Sequence, residues 1–482
     1  MRHVLLRSIA FIIVTFSLVL FARGGGVERN RGVPRYAVPS YRELLRRPLS
    51  LLEAVNIAVA QNAVIRAAQK EVEARYGVAI QVRAIVLPKL VESASYVYHS
   101  DSLIERTEVP SFRLLIPQLG IDRTIGGGLG PLTNNQVWNN DIRVIQSVYE
   151  GGRLMSALRQ TKLIREQALL DFQTAVSDVL LQVRVTYDDA QLAAGQIKLR
   201  EQEVALLESI LDKVSEQAKV GVVSDFAKVR AEVEINNARS PLATARQDFV
   251  IAKQHLLQLM GYDVPIPSAN DVTLDLSTPL QALKYEQDLP AALVTAARQR
   301  SELASIYLVG KLADEAIIVA KAGNKPSIQA FAAYDAFSRV QSRDPGDPLN
   351  GGLVGGQVTW PIFDGFLTRG RVMEAVAKRG QVAHNTDELS RQITLQVRTA
   401  WARLVEQRNI VDIQSSNVDA GVRTVDLAQT RYFTGIGSEV ELLDAQRALT
   451  DARIFYVAAL RDYSVAYSEM LRATGEDLRW RR

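Results

Sequence analysis

The sequence contains no cysteine, and only four histidines are scattered along its 482 residues. Without thiols the chain can form neither a disulfide nor a thiolate zinc site, and it offers no cysteine nucleophile and no lipidated N-terminal cysteine. None of the histidines has a second histidine at ligand spacing. We therefore expect no metal site and no cofactor.

Positive and negative charges are nearly balanced along the chain. The chain has 57 Lys and Arg against 53 Asp and Glu, for a formal net charge of +4 at pH 7. Because no dense basic stripe with interleaved aromatic residues occurs, we expect no nucleic acid among its partners. The acidic residues interleave with Lys and Arg as solvent-facing charge does, so no catalytic constellation is evident and we expect no enzyme.

Long apolar runs are scarce. One run extends from Ile9 to Phe21, after Arg2 and Arg7. It is too short for a bilayer span of ~20 residues but fits the apolar region of a signal peptide. We expect residues 1–22 to be a signal peptide, with an uncleaved interfacial anchor as the alternative, and 23–47 to be an extended, proline-broken linker. Export without disulfides is typical of a bacterial envelope protein.

What the chain does have is an internal duplication. LQVRVTY at 181–187 recurs as LQVRTAW at 395–401, an offset of 214 positions (395 minus 181). Upstream the copies match at an offset of 238, as between Pro88 and Pro326, so the first copy carries 24 extra residues (238 minus 214). The chain is thus two copies of one unit. The predicted boundaries are a first repeat at 48–261, an equatorial connector at 262–288 and a second repeat at 289–482.

Each copy is predicted to contain helices, a strand pair and a long helical hairpin. The strand pairs are expected at 91–148 and 328–363, and the hairpins at 152–260 and 366–475. The first hairpin opens with roughly 70 residues that lack proline, which predicts a rod on the order of 100 Å long. Residues 100–136, rich in glycine and proline, are expected to form a long loop.

The last helix has the clearest periodicity in the chain. Its apolar residues recur at alternating steps of three and four, a 3.5-residue period that predicts left-handed supercoiling around neighbouring helices. These residues are Leu442, Ala445, Leu449, Ala452, Tyr456, Ala459, Tyr463 and Ala466.

The predicted strands alternate apolar and polar residues, with aromatic side chains gathered on or near the apolar side. A half-exposed sheet in water is one interpretation. In a bilayer, by contrast, strands must close into a barrel, which takes about eight strands or more. Since one chain supplies four, a transmembrane barrel would have to be shared among subunits.

The chain resembles the TolC-like outer-membrane efflux proteins, the outer-membrane factor family, along nearly all of its length past residue 48. The resemblance rests on PLSLLEAVNIAVAQN, on SVYEGGR and WPIFDGF where strand passes into helix, and on RYFTGIGSEVELLDAQRAL at the second helical turn. It implies a mainly α fold with a small β part. Three copies would form a periplasmic α-barrel below one 12-stranded transmembrane β-barrel in outer-membrane lipid.

The resemblance also implies a function and partners. Such proteins are passive exit ducts of tripartite efflux pumps or type I secretion systems. The implied partners are two further copies of the chain, a periplasmic adaptor, and an inner-membrane transporter of the RND or ABC type.

The resemblance further assigns site residues, each with an ordinary structural alternative such as a solvated helix flank or a plain helical hairpin. The implied sites are a pore constriction at Glu441, Asp444 and Tyr432; an adaptor-docking tip at Val220, Gly221, Val222, Thr434, Gly435 and Ile436; and strand–helix corners at Gly151 and Gly365.

The chain departs from the family pattern at both ends of the hairpins. Ser147 replaces the usual proline at the first corner, and Phe366 replaces a second glycine at the other. At the tip, Gly437 and Ala227 stand where the family's closed-state latch has an arginine and an aspartate. The closed state is therefore expected to be weaker or differently tied than in the family.

Three alternatives remain open. The first is a duct dedicated to type I protein export, which the tip residues do not distinguish from an efflux duct. The second is a soluble periplasmic coiled-coil adaptor, although adaptors usually carry one hairpin and this chain has two. The third is an α-helical enzyme.

Overall fold

The computed structural model describes residues 38–44, 47–103, 106–109, 112–116, 121–125, 128–131, 136–220, 224–263, 274–338, 348–434 and 436–477. The predicted signal peptide, and the linker apart from residues 38–44 and 47, lie outside the described residues.

The described residues contain helices of very unequal length and one main sheet. The helices are α1 (Tyr41–Leu44), α2 (Leu51–Gln61), α3 (Ala63–Ala84), α4 (Arg153–Lys219), α5 (Asp225–Leu259), α6 (Leu289–Gln299), α7 (Ser301–Lys321), α8 (Leu367–Phe433) and α9 (Glu439–Thr474). The strands are β1 (Lys89–Tyr98), β2 (Arg106–Val109), β3 (Phe112–Ile116), β4 (Ile121–Ile125), β5 (Gly128–Pro131), β6 (Gln136–Glu150), β7 (Ser327–Ser338) and β8 (Pro348–Thr359).

The duplication seen in the sequence is confirmed by the element bounds. Helices α4 and α8 both have 67 residues, and their first residues lie 214 positions apart (367 minus 153). Helices α2 and α6 both have 11 residues, and their first residues lie 238 positions apart (289 minus 51). The fold is mainly α with a small antiparallel β part, as predicted.

Local capping explains where the shorter helices begin. The Ser50 hydroxyl accepts a hydrogen bond from the Glu53 N–H at 3.2 Å at the start of α2. The Asn62 side chain accepts from the Val64 N–H at 2.8 Å at the start of α3. Each contact satisfies an N–H group that has no partner inside its helix. Within the described part of the chain, no helix combines the length and the apolar character needed to cross a membrane.

The main sheet has the strand order β1–β6–β7–β8, and every pairing in it is antiparallel. The central pair, β6 with β7, joins the two copies. Strands β1 and β8 are therefore the edges, with 10 and 12 residues. Between Ser147 and Tyr149 the β6–β7 register shifts, where the family pattern has a proline.

The two faces of the sheet differ in polarity. Ala332 is paired with Val354, and Ile328 with Val358, so these residues share one face, and that face is exposed. The opposite face carries Asp141, Asp335 and Gln329, together with Phe331 and Ala333. An exposed apolar face and a more polar opposite face are the pattern of a sheet that spans a bilayer around a lumen.

The prediction of one long loop at 100–136 is wrong. Strand β2 pairs with β5, and β3 pairs with β4, so that two short ladders are nested between β1 and β6. The glycines and prolines mark turns between runs of four or five residues, and runs that short give only a weak strand signal.

The helices form one wall whose two borders are different surfaces. In the hairpin half, the helices pack side by side in the order α5, α4, α9 and α8. Nearer the sheet, the order is α3, α4, α7 and α8. Among the described elements, α3 and α5 therefore border the wall on the side of β1, and α8 borders it on the side of β8. The predicted stripe on α9 is largely buried, for example at Ala445 and Ala466.

Both border helices carry a second, exposed apolar stripe. On α5 the exposed residues Phe226, Val229 and Val233 follow steps of three and four, on the side opposite the buried Ala231 and Ile235. On α8 six of the eight exposed large apolar residues lie on the side away from the residues that pack on α9. These are Met373, Val376, Leu395, Val405, Ile413 and Leu427.

The described parts of the connector, 262–263 and 274–288, are tied to both repeats. The Tyr187 hydroxyl donates to the Leu49 carbonyl at 2.8 Å and accepts from the Thr278 N–H at 3.0 Å. On the other side, the Tyr285 hydroxyl donates to Glu476 Oε2 at 2.9 Å. These buried contacts fix the middle of the molecule against both hairpins.

Candidate functional site

The second helical turn, between α8 and α9, is closed by its own backbone. The N–H groups of Ile436 and Gly437 both donate to the Arg431 carbonyl, at 3.0 and 2.9 Å. The Thr434 hydroxyl donates back to the Thr430 carbonyl at 2.9 Å. Ile436 is left 74% exposed at the end of the hairpin.

The first helical turn ends in the same way as far as the structure describes it. Helix α4 stops at Lys219, and the next residue, Val220, is also 74% exposed. Gly221, Val222 and Gly435 lie outside the described residues. Each hairpin therefore presents an exposed apolar side chain at its tip.

The predicted acidic pair lies in the first two turns of α9. The Ser438 hydroxyl caps this helix by accepting from the Glu441 N–H at 3.3 Å. Glu441 and Asp444 are both exposed and three residues apart, so they lie on one side of the helix. Tyr432 is half-buried in the last turn of α8.

The sequence interpretation missed one residue of this site. Arg431 Nε lies 3.5 Å from Glu441 Oε2, and both side chains are about half exposed. The spacing in the sequence indicates this pair once Ile436 is taken as the centre of the turn, because Arg431 and Glu441 are each five positions from it. Residues equally distant from the centre of an antiparallel helical hairpin face each other.

Gly437 occupies the position to which the resemblance assigns a latch arginine. A Cβ added there would lie 2.9 Å from the Arg431 Cβ and 3.1 Å from the Tyr432 nitrogen. The turn therefore has no room for a side chain at 437 unless its backbone shifts. The pair that the structure brings together at this place is Arg431 with Glu441.

A buried polar cluster joins the two hairpins where α4 packs on α9. The Ser464 hydroxyl donates to Asp188 Oδ2 at 2.6 Å, and the Arg461 Nε donates to Asp189 Oδ1 at 2.7 Å. Burial raises the pKa of the Asp188 carboxyl to about 6, although the hydrogen bond from Ser464 acts against this rise. Within the described residues, no group of three or more acidic or histidine side chains is arranged to hold a metal ion.

The two strand–helix corners use left-handed backbone but differ in their surroundings. Gly151 and Gly365 have φ of +61° and +65°, which glycine adopts without steric cost. A Cβ at Gly151 would lie 2.8 Å from the Lys325 Cβ, whereas a Cβ at Gly365 would meet nothing within 4 Å. The first corner is therefore packed against the second repeat, and the second corner is open.

A model of the outer membrane efflux protein family matches residues 54–262 and 292–476. The chain belongs to the outer membrane efflux protein family. Each of the two matched segments of this outer membrane efflux protein covers most of one repeat, and the repeats share the helix–strand–strand–helix plan described above.

Curated relatives and solved structures agree with this assignment. The outer membrane efflux protein BepC of Brucella suis biovar 1 is 24% identical over 367 residues, covering 74% of this chain and 77% of the relative. The outer membrane protein TolC of Escherichia coli K12 is 21% identical over 378 residues, covering 75% of each. The Campylobacter jejuni CmeC outer membrane channel superposes with a TM-score of 0.70 at 16% identity, covering 88% of this chain and 85% of that one.

Family membership decides between an outer-membrane channel and a soluble periplasmic adaptor. This outer membrane efflux protein is a channel component of the outer membrane that extends into the periplasm, as predicted. A soluble periplasmic adaptor is not favoured.

Proposed function

We propose that three copies of this outer membrane efflux protein close into one passive conduit, the exit duct of a tripartite efflux pump or a type I secretion system. The observation that carries the proposal is the pair of open edges on the four-stranded sheet. In hydrocarbon, each unsatisfied backbone group costs several kcal/mol. Four strands are too few to close a transmembrane barrel, whereas three copies supply twelve.

The two borders of the protein favour a ring. Strand β1 lies on one border with α3 and α5, and β8 lies on the other with α8. A contact between two different surfaces is head-to-tail, and such contacts generate closed rings when the rotation between copies closes. The exposed apolar stripes on α5 and α8 would be buried by the same contact.

The proposed partners follow from the ends of the duct. The exposed tip residues Val220 and Ile436 would dock on a periplasmic adaptor, and an inner-membrane transporter of the RND or ABC type would supply the energy. The carboxylates of Glu441 and Asp444 would form rings at the narrow end, where acidic rings favour cations.

Subunit mass and edge crosslinking test this proposal. In detergent the protein should behave as about three times 53.3 kDa by light scattering after correction for bound detergent. Closing a barrel staggers the strand register between copies, so Leu90→Cys on β1 is combined in turn with Asn350→Cys, Val354→Cys or Val358→Cys along the same face of β8. One of these double variants should form trimers with a short bis-maleimide.

The matched control is Leu90→Cys alone. Neighbouring copies of this cysteine would be four strands apart, roughly 19 Å at about 4.8 Å per strand, so a short linker should leave the chain monomeric on a denaturing gel. A monodisperse monomer that stays in solution without detergent, or a crosslinked series that continues beyond three chains, would contradict the ring.

A further inference from the structure

The open strand–helix corner exposes a cluster of large apolar side chains. Ile362, Phe363 and Phe366, here called the corner cluster, are 87%, 75% and 65% exposed. The rings of Phe363 and Phe366 pack edge to face, with centroids 5.5 Å apart. The preceding Trp360 is also exposed, and its indole N–H donates to the Asn324 carbonyl at 3.2 Å. Contiguous exposed apolar surface of this kind marks a protein or membrane contact.

Phe366 adopts a backbone conformation that a glycine would adopt more easily. Its φ is +66°, and it is the one non-glycine residue with positive φ among the described residues. The equivalent residue in the first repeat is Gly152, with φ of +102°. A bulky residue in this region is strained by on the order of 1–3 kcal/mol. A side chain kept at such a position, in contact with solvent, indicates a role that the fold of one chain does not require.

The corner cluster lies at the level of a membrane boundary, an argument that rests on the proposed function. Strand β8 has 12 residues, so it is roughly 40 Å long at about 3.3 Å per residue. Tilted by about 45°, it spans roughly 28 Å, close to the ~30 Å hydrocarbon core. The cluster follows the last residue of β8, and α8 then continues away from the sheet. It therefore lies at the periplasmic leaflet.

A cavity of about 460 Å³ lies beside the corner cluster. Lys321, in the last turn of α7, and Arg369, in the first turn of α8, both line it and are exposed. Within the described residues neither forms an ion pair. Asp364 also lines the cavity, but its Oδ2 accepts the Thr368 N–H at 2.8 Å. The remaining lining residues are Asn324, Ile362, Phe363, Phe366, Thr368 and Val372.

We propose that this corner, which lies on the β8–α8 border of the chain, binds a glycerophospholipid of the periplasmic leaflet at the seam where the next copy of the ring would pack. Lys321 and Arg369 hold the headgroup phosphate, because cationic side chains make strong charge-assisted hydrogen bonds to phosphate oxygens. The corner cluster contacts the acyl chains, and the aromatic rings lie at the interface that such rings prefer. At the first corner the equivalent position is Gly152, which has no aromatic side chain to contact an acyl chain, so we assign this lipid site to the second corner.

Native mass spectrometry of the detergent-purified protein, titrated with phosphatidylglycerol, tests the proposal. We expect up to three lipids per trimer. The Lys321→Gln/Arg369→Gln variant should bind at least tenfold more weakly, because loss of one charged hydrogen bond already costs about tenfold and this variant removes two charged donors. The control Lys198→Gln/Arg423→Gln, on exposed cations of the periplasmic helices, should bind like the wild type.

A second pair of variants separates lipid contact from folding. Phe366→Gly should lose lipid binding while its thermal unfolding temperature stays equal to, or rises above, that of the wild type, because glycine relieves the strain at this position. Phe455→Ala, which removes an exposed aromatic ring from α9, should change neither the lipid binding nor the unfolding temperature.

Two further ligands identify what the site recognises. Diacylglycerol with the same acyl chains should bind poorly, and inorganic phosphate at millimolar concentration should not displace the lipid. Equal binding of diacylglycerol, or full displacement by phosphate, would overturn the assignment to a phospholipid. If the wild type forms a conducting trimer but retains no lipid, this inference fails and the duct stands; if no trimer forms, the duct itself fails.

Discussion

At the tip, the charge of Glu441 is partly balanced within one chain. Arg431 lies beside it, and both side chains are about half exposed, so the pair contributes roughly 0–1 kcal/mol to stability. A pair this weak can be removed without unfolding the hairpin. Its larger effect is on the field in the pore, because each Arg431 offsets one carboxylate of the proposed ring.

The Glu441→Gln/Asp444→Asn variant should lower the cation preference of single channels, since it removes two carboxylates per chain. Arg431→Gln should raise the preference, because it leaves the acidic ring without its counter-charge. Reversal potentials across a planar bilayer with a salt gradient measure both effects. The control is Asp248→Asn, which neutralises an exposed acid on α5 and should leave the reversal potential unchanged. An unchanged reversal potential for Glu441→Gln/Asp444→Asn would exclude the ring of carboxylates.

The Asp188 carboxyl makes stability depend on pH. Its pKa is raised from 3.8 to about 6 by burial, so its neutral form stabilises the folded state fully below about pH 4. This contribution, at most on the order of 3 kcal/mol, is lost as pH rises through 6. The thermal unfolding temperature, followed by circular dichroism, should therefore fall less between pH 4 and pH 7 in Asp188→Asn than in the wild type.

The control for this pH effect is Asp212→Asn, an exposed acid on the same helix. Asparagine at 188 still accepts the hydrogen bond from Ser464, so a change in the pH slope reports ionisation rather than a lost contact. Identical slopes for Asp188→Asn, Asp212→Asn and the wild type would show that Asp188 ionises normally.

Single residues were predictable where backbone geometry constrains the amino acid. Gly151 and Gly365 stand where a strand passes into a helix, and both have positive φ. The strain at Phe366 was predictable only in part, because the resemblance shows that Phe366 replaces a glycine but the sequence does not give its backbone conformation. To predict the Arg431–Glu441 pair, one must know which residue lies at the centre of the turn. Helix bounds read from the sequence give that centre only to within one or two residues.

Among the elements, the long helices were predictable and the insertion was not. Arg153–Lys219 contains no proline, so nothing interrupts its hydrogen bonding. Helix α5 continues through Pro241, where the signal from the sequence is weaker. The nested strands between β1 and β6 depend on pairing between distant short runs, which periodicity along the chain does not reveal.

The exposed stripe on α5 leads to an element-scale prediction. Val229→Ser/Val233→Ser should lower the temperature at which trimers dissociate on a semi-native gel, because each buried valine contributes about 1.5–3 kcal/mol. The unfolding of the chain itself should change little, since both side chains are exposed within one copy. Phe455→Ser, on a helix that borders no open side of the wall, should leave dissociation unchanged. Equal effects of the two variants would place the interface elsewhere.

At the scale of the whole molecule, both the sheet and the helical wall have surfaces that a single chain leaves uncovered. The sheet has unpaired edges at β1 and β8, and the helical wall has exposed apolar stripes on the same two borders. An open edge alone, or an apolar stripe alone, also occurs in proteins that remain monomeric. One contact repeated around the proposed ring would account for their coincidence on both borders, and that ring would leave the tips as its free end in the periplasm.

Docking at that free end is tested by crosslinking in cells. Because the chain has no cysteine, Val220→Cys and Ile436→Cys each introduce a unique thiol at a site that is 74% exposed. A maleimide–benzophenone reagent, which couples to the thiol and photochemically inserts into nearby C–H bonds of any neighbour, should join both variants to a periplasmic protein that mass spectrometry identifies as a helical-hairpin adaptor. Leu158→Cys, far from the tip on α4, should capture no adaptor. If the tip variants join only to other copies of this chain, the tips meet each other rather than a partner, and the path to an inner-membrane transporter must start elsewhere.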